Sequence, residues 1–133
     1  MAATQIICDT DVMIDYLDRA NIRYMSTKSA LEEEIGLDNV CISAITKMEL
    51  VRGAINKIEL VKINKNIERF NIIPIDHYIT YKAISLIQVY SLSHNLAIPD
   101  GLIAATAIES DLELFTYNTK DYKFITELKL FRH

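Results

Sequence analysis

Apolar residues in this chain gather in short dense runs separated by amphipathic stretches. Ile6-Ile7-Cys8 is the first run, and it ends abruptly in Asp9-Thr10-Asp11. A short run without alternation reads as a strand buried on both faces. Val12–Arg19 then reads as a helix. Val40-Cys41-Ile42 is a second buried strand, followed by a helix that begins near Ser43-Ala44 and carries Glu49. Ser29-Ala30-Leu31-Glu32 matches a capping box, so a helix is predicted to start there and to stop at Gly36. Lys57–Phe70 has a helical pattern, and Ile72–Ile75, broken by Pro74, is a short strand or an edge. From Ile79, the residues Ala83, Leu86, Ile87 and Tyr90 recur on one helix face. Pro99-Asp100 opens a helix so poor in polar residues that it should be central. Leu112–Tyr117 is a third main strand and Leu128–Phe131 a last short one.

Strands alternating with helices predict an α/β sandwich with a mostly parallel sheet. The 133 residues suit a single domain, spanning 1–133. Glycine and proline are scarce, at 3 and 2 residues, which argues against an all-β sandwich rich in turns. Gly36, Gly53 and Gly101 are too scattered to build a phosphate-cradling loop. Cys8 and Cys41 lie within the apolar runs and have no metal-ligand spacing. They read as inert core thiols in a reducing compartment. The longest uncharged stretch, Ala83–Pro99, contains Ser85, Gln88, Ser91, Ser93, His94 and Asn95, so no membrane span is expected. The start, Met-Ala-Ala-Thr-Gln, resembles no targeting signal, and a cytoplasmic location is expected.

The net charge of −4 does not advertise a nucleic-acid binder. Basic residues nevertheless concentrate at Arg52, Lys57, Lys62, Lys65 and Arg69, and again at Lys120, Lys123, Lys129 and Arg132. Solvated helix faces explain such clustering more often than binding does. The triplet Glu32-Glu33-Glu34 reads as support for a helix dipole.

The chemistry sits in the acids. In a parallel sheet, ligands bind beyond the carboxyl ends of the strands, near the switch in strand order. Asp9 and Asp11 follow the first strand, Glu49 lies in the helix after the second, Asp100 caps or opens the central helix, and Asp121 follows the third main strand. Carboxylates converging there would repel unless a hard divalent cation neutralised them, and Mg²⁺ or Mn²⁺ prefers oxygen ligands. Each acid has a plainer alternative. Asp9, Asp11 and Asp100 could serve helix N-termini, Glu49 could face solvent, and Asp121 could be an ordinary loop aspartate. Asp15 and Asp18 read as solvated. Ser43 and Thr46 could support Glu49 or simply start its helix. His77, His94 and His133 have no recognisable catalytic partners.

Four blocks carry a family resemblance. Ile6-Ile7-Cys8-Asp9-Thr10-Asp11-Val12-Met13-Ile14-Asp15-Tyr16-Leu17 resembles the opening of a PIN domain, especially of VapC-type toxins. Ile42-Ser43-Ala44-Ile45-Thr46-Lys47-Met48-Glu49-Leu50, Ile98-Pro99-Asp100-Gly101-Leu102-Ile103-Ala104-Ala105-Thr106-Ala107 and Leu114-Phe115-Thr116-Tyr117-Asn118-Thr119-Lys120-Asp121-Tyr122 resemble the following blocks, in order. The resemblance implies a three-layer PIN-like sandwich and an endoribonuclease dependent on Mg²⁺ or Mn²⁺. It makes Asp9, Glu49 and Asp100 the acidic triad and Asp121 the fourth acid, all four catalytic and metal-binding. Asp11, Thr46, Thr116 and Asn118 would support them, and Asp11 stands where the family usually has Asn. An activated water would attack phosphorus in line and leave 5′-phosphate and 3′-hydroxyl ends.

The substrate implied is a structured RNA, tRNA or rRNA. The partners implied are a cognate antitoxin and a second copy of the chain. Helix faces near Tyr24–Ile35 and Lys57–Phe70 are the expected docking surfaces. Competing readings are a PIN nuclease of RNA maturation, an inactive PIN binding module, and an aspartate-nucleophile phosphatase built on Asp9-Thr10-Asp11. The phosphatase expects Thr where this chain has Met13, and a later Gly-Asp-x-x-x-Asp that is missing.

Overall fold

The computed structural model describes residues 4–133. Met1, Ala2 and Ala3, which begin the segment read above as lacking a targeting signal, lie outside them. Four parallel strands, β1 (Ile6–Cys8), β2 (Val40–Ser43), β3 (Asn71–Ile73) and β4 (Glu113–Phe115), form one sheet in the order β3-β2-β1-β4. The helices are α1 (Thr10–Leu17), α2 (Tyr24–Ser29), α3 (Ala44–Arg52), α4 (Lys57–Ile67), α5 (His77–His94) and α6 (Ile98–Glu109). Among the described residues, no helix is long and apolar enough to cross a membrane.

Successive residues of a strand point to opposite faces, and this divides the core in two. Ile7, Cys41 and Leu114 join Ile79, Ala83, Leu86, Ile103 and Ala104 under α5 and α6. Ile6, Cys8, Val40, Ile42 and Phe115 join Val12, Met13, Leu31 and Ile67 on the other side. The result is the three-layer sandwich expected. Each fully buried aliphatic side chain contributes roughly 1.5–3 kcal/mol through removal from water. The helix α6 packs closely on α5, and a Cβ built at Gly101 would lie 2.9 Å from Cδ1 of Ile87.

Three local expectations fail. Ser29 does not start a helix. Its backbone is already helical (φ −61°, ψ −44°), because α2 begins at Tyr24 and runs into a π-helical turn, Ala30–Ile35. The Ser29 hydroxyl donates to Glu33 instead. The acidic triplet therefore lies near the end of this helical stretch and does not support its N-terminus. Gly36 ends the turn as expected, with φ +88°. Leu128–Phe131 forms no strand: Leu130 makes a single bridge to Leu114, and the chain then leaves the edge. Asp100 helps open α6 as expected, although it is not the cap. That position belongs to Ala97, so Asp100 sits inside the first turn.

Candidate active site

The strand order reverses at β1, which pairs with β2 on one side and β4 on the other. Asp9 stands at the carboxyl end of β1, with extended backbone at the N-cap of α1, and its amide donates to the Phe115 carbonyl of β4 at 2.9 Å. It is 5% exposed. One carboxylate oxygen accepts from the Thr10 amide at 2.8 Å, the other from the Thr116 hydroxyl at 2.8 Å. Thr116 Oγ1 accepts in turn from the Asn118 amide at 3.1 Å. Thr116 thus supports Asp9 directly, and Asn118 does so through its backbone.

Glu49 reaches the same end from α3 and is exposed. A line of hydroxyls leads to it from the start of its own helix. The Thr10 hydroxyl donates to Glu49 Oε1 at 2.7 Å. A hydroxyl has one proton, so the 3.0 Å contact between the Thr10 and Thr46 hydroxyls is donated by Thr46. Thr46 Oγ1 accepts from Ser43 Oγ at 3.2 Å, and Ser43 Oγ accepts the Thr46 amide at 3.0 Å as the cap of α3. Ser43 and Thr46 therefore do both of the jobs the sequence left open.

Asp100 projects from α6 and accepts from the Tyr122 hydroxyl at 3.2 Å. The Tyr122 ring is buried. Asp121, one residue earlier, ends a short 3₁₀ turn, Thr119–Asp121, and is exposed. Asp11 spends both oxygens on backbone amides, Val12 at 2.7 Å and Tyr117 at 3.0 Å. It ties the start of α1 to the loop after β4.

Among the described residues, no lysine or arginine pairs with Asp9, Asp11, Glu49, Asp100 or Asp121. Burial pushes the Asp9 carboxyl above its ordinary range, and the charge of Glu49 adds to that. Burial, then the charge of Asp9, raises Asp11 to about 6. Burial raises Asp100 to about 6 as well, with Asp9, Asp121 and Glu49 contributing repulsion. The acids expected to converge are thus near enough to feel one another, with Asp9 and Asp100 at the centre. Among the described residues, however, no three acidic, histidine or cysteine groups close into a metal cage. The donor chemistry fits a hard dication held by one or two carboxylates with several waters retained. Both cysteines are buried in the core, and burial drives the Cys8 thiol far upward. The histidines lie on aromatic rings elsewhere, His77 on Tyr78, His94 on Phe124 and His133 on Phe115.

One acid read as solvated is not. Asp15 is 3% exposed and paired with Nε of Arg23. It lies on the inner face of α1, which turns toward α2. Asp18 is exposed as expected. Sequence reasoning also missed Thr10 and Tyr122 as supporting groups. The only signal was position, with Thr10 between two acids and Tyr122 directly after a third.

The structure thus presents a parallel α/β sandwich with carboxylates gathered at its switch point. The PIN domain family matches residues 6–125, and this chain belongs to it. Over 125 residues the chain is 29% identical to Ribonuclease VapC10 of Mycobacterium tuberculosis, covering 93% of this chain and 90% of that protein. A chain of a toxin-antitoxin complex from Klebsiella pneumoniae is 34% identical, with a TM-score of 0.75 over 93% of this chain and 95% of that one. FitAcB from Neisseria gonorrhoeae is 28% identical, with a TM-score of 0.72 over 96% and 97%.

Proposed function

We propose that this protein is a Mg²⁺- or Mn²⁺-dependent endoribonuclease, the toxin of a VapBC-type toxin–antitoxin pair acting in the cytoplasm on a structured RNA. The observation that carries the reading is the carboxylate of Asp9, buried at the switch point beside Asp100 and Glu49 and, among the described residues, paired with no lysine or arginine. The similarity to Ribonuclease VapC10 supports the activity, and the Klebsiella pneumoniae complex supports the partner.

Asp9 and Asp100 would hold the cation, with Glu49 and Asp121 completing its shell directly or through water. The bound cation would acidify a water and neutralise phosphoryl charge. The chain's own residues do the positioning. The Thr10 amide and Thr116 hydroxyl fix both oxygens of Asp9, and Tyr122 fixes Asp100. Thr10 turns one oxygen of Glu49, and the exposed remainder of that carboxylate is suited to accept a proton from the attacking water.

The two segments expected to dock an antitoxin line one cleft of about 580 Å³, which includes Tyr16, Tyr24, Lys28, Lys65, Arg69 and Phe70. A flexible partner segment with apolar and acidic side chains suits it. Tyr81, Ile84 and Ile98 remain exposed on α5 and α6 and suit a second copy.

Incubation of antitoxin-free protein with total bacterial RNA, with and without Mg²⁺ or Mn²⁺, tests the reading when the new 5′ ends are sequenced. Discrete cuts with 5′-phosphates that need the cation are the expected result. A phosphorylated Asp9 in place of cleavage would favour the phosphatase. Tight antitoxin binding without any cleavage would favour an inactive binding module.

A further inference from the structure

Arg23 is unusually well anchored for a half-exposed cation. Its amide donates to Asn21 Oδ1 at 2.8 Å, and its carbonyl accepts from the Thr27 amide at 2.9 Å. Its Nε pairs with the buried carboxylate of Asp15, and its guanidinium lies over the Tyr117 ring, 4.4 Å from the centroid. Tyr117 is held in turn. Its hydroxyl is hydrogen-bonded to the buried hydroxyl of Thr27, and its amide donates to Asp11 at 3.0 Å. Among the described residues, Nη1 and Nη2 have no hydrogen-bond partner, while 48% of the side chain is exposed. A planar fork with its stem fixed and its outer edge open matches the geometry of a phosphate.

Its place matters as much as its chemistry. Tyr117 follows Thr116, which holds Asp9, and pairs with Asp11, so the guanidinium lies at the rim of the acidic site. A chain of net charge −4 presenting carboxylates to a polyanion needs fixed positive charge nearby. We propose that Arg23, aligned by Asp15 and Tyr117, binds a backbone phosphate of the RNA next to the cleavage site. The inference rests on the ribonuclease reading and goes beyond it by naming a substrate-binding residue outside the acid cluster.

The test uses the full chain and a fluorescently labelled RNA containing a mapped cut site. Binding is measured in EDTA across a range of salt, and cleavage is measured with Mg²⁺. The double variant Asp15→Asn/Arg23→Gln removes the cation without leaving a buried charge unpaired. Arg23→Lys keeps a cation on Asp15 but has no spare fork. The double variant should flatten the plot of log affinity against log salt by about 0.7–0.9, one phosphate contact. Both variants should raise KM several-fold with kcat little changed, as loss of uniform binding does. Should the double variant not fold, the KM of Arg23→Lys decides. Unchanged slope and KM in folded variants overturn the inference while wild-type cleavage stands. Wild-type protein that neither binds nor cuts RNA overturns the ribonuclease reading and this inference together.

Discussion

Thr10 donates its hydroxyl proton to Oε1 of Glu49 over 2.7 Å, so the first residue of α1 sets the carboxylate carried by α3. The same hydroxyl accepts from Thr46, which leaves Thr10 as the last member of a line that starts at Ser43. Thr10→Val keeps the shape and removes the link. Cleavage should fall by about 10- to 100-fold, the usual cost of losing a group that supports a metal ligand. Stability in denaturant should fall by only about 1–3 kcal/mol, the cost of one unsatisfied polar group. A variant with wild-type cleavage would remove Glu49 from the reaction or Thr10 from its control.

Tyr122→Phe isolates the second support. The phenolic hydroxyl donates to Asp100 and favours its charged form. Without it, the Asp100 carboxyl should titrate above the wild-type value of about 6 in a cation-free NMR titration. Cation affinity should weaken in parallel.

The raised carboxyls also set the pH dependence of folding. Asp11 and Asp100 are both raised to about 6, chiefly by burial. An unfolded aspartate titrates near ~3.9, so between these values the folded state holds more protons than the unfolded one. The contribution of these two groups to stability in EDTA should therefore be greatest below pH ~4 and be lost as pH rises through about 6. Mg²⁺ binds the charged carboxylates, so it should raise the melting temperature more at pH 7 than at pH 5. Melting curves at the two pH values, with and without the cation, check the sign.

The tight contact between α5 and α6 yields a purely structural prediction. Gly101→Val would drive a side chain into Ile87, whose Cδ1 already lies 2.9 Å from a Cβ built there. Overpacking of this kind costs about 1–3 kcal/mol. Because Gly101 adjoins Asp100, cation affinity should suffer too. Denaturation with and without Mg²⁺ separates the two effects.

Much of this architecture is legible in the chain because buried parallel strands leave short apolar runs that end in site residues. Ile6-Ile7-Cys8 followed by Asp9 is such a run, and the burial of every residue in it accounts for the absence of alternation. What stays hidden is tertiary choice. Ser29-Ala30-Leu31-Glu32 carries the letters of a capping box, yet the helix has already started five residues earlier, at Tyr24. Asp15 falls on the side of α1 facing α2, and only the arrival of Arg23 makes its burial tolerable. Tyr122 is a core aromatic. Its contact with Asp100 depends on a turn that no local pattern encodes.

The most direct test of the account is a paired measurement on Asp9→Asn and Asp100→Asn: single-turnover RNA cleavage, and the rise in melting temperature on adding Mn²⁺. Neutralising either acid relieves repulsion in the cation-free fold, so both variants should melt in EDTA at or above the wild-type temperature. Both should lose the Mn²⁺-induced rise, and cleavage should drop by at least about a hundredfold. A well-folded Asp9→Asn protein that cuts RNA at the wild-type rate would contradict the assignment of this acid cluster as the catalytic centre.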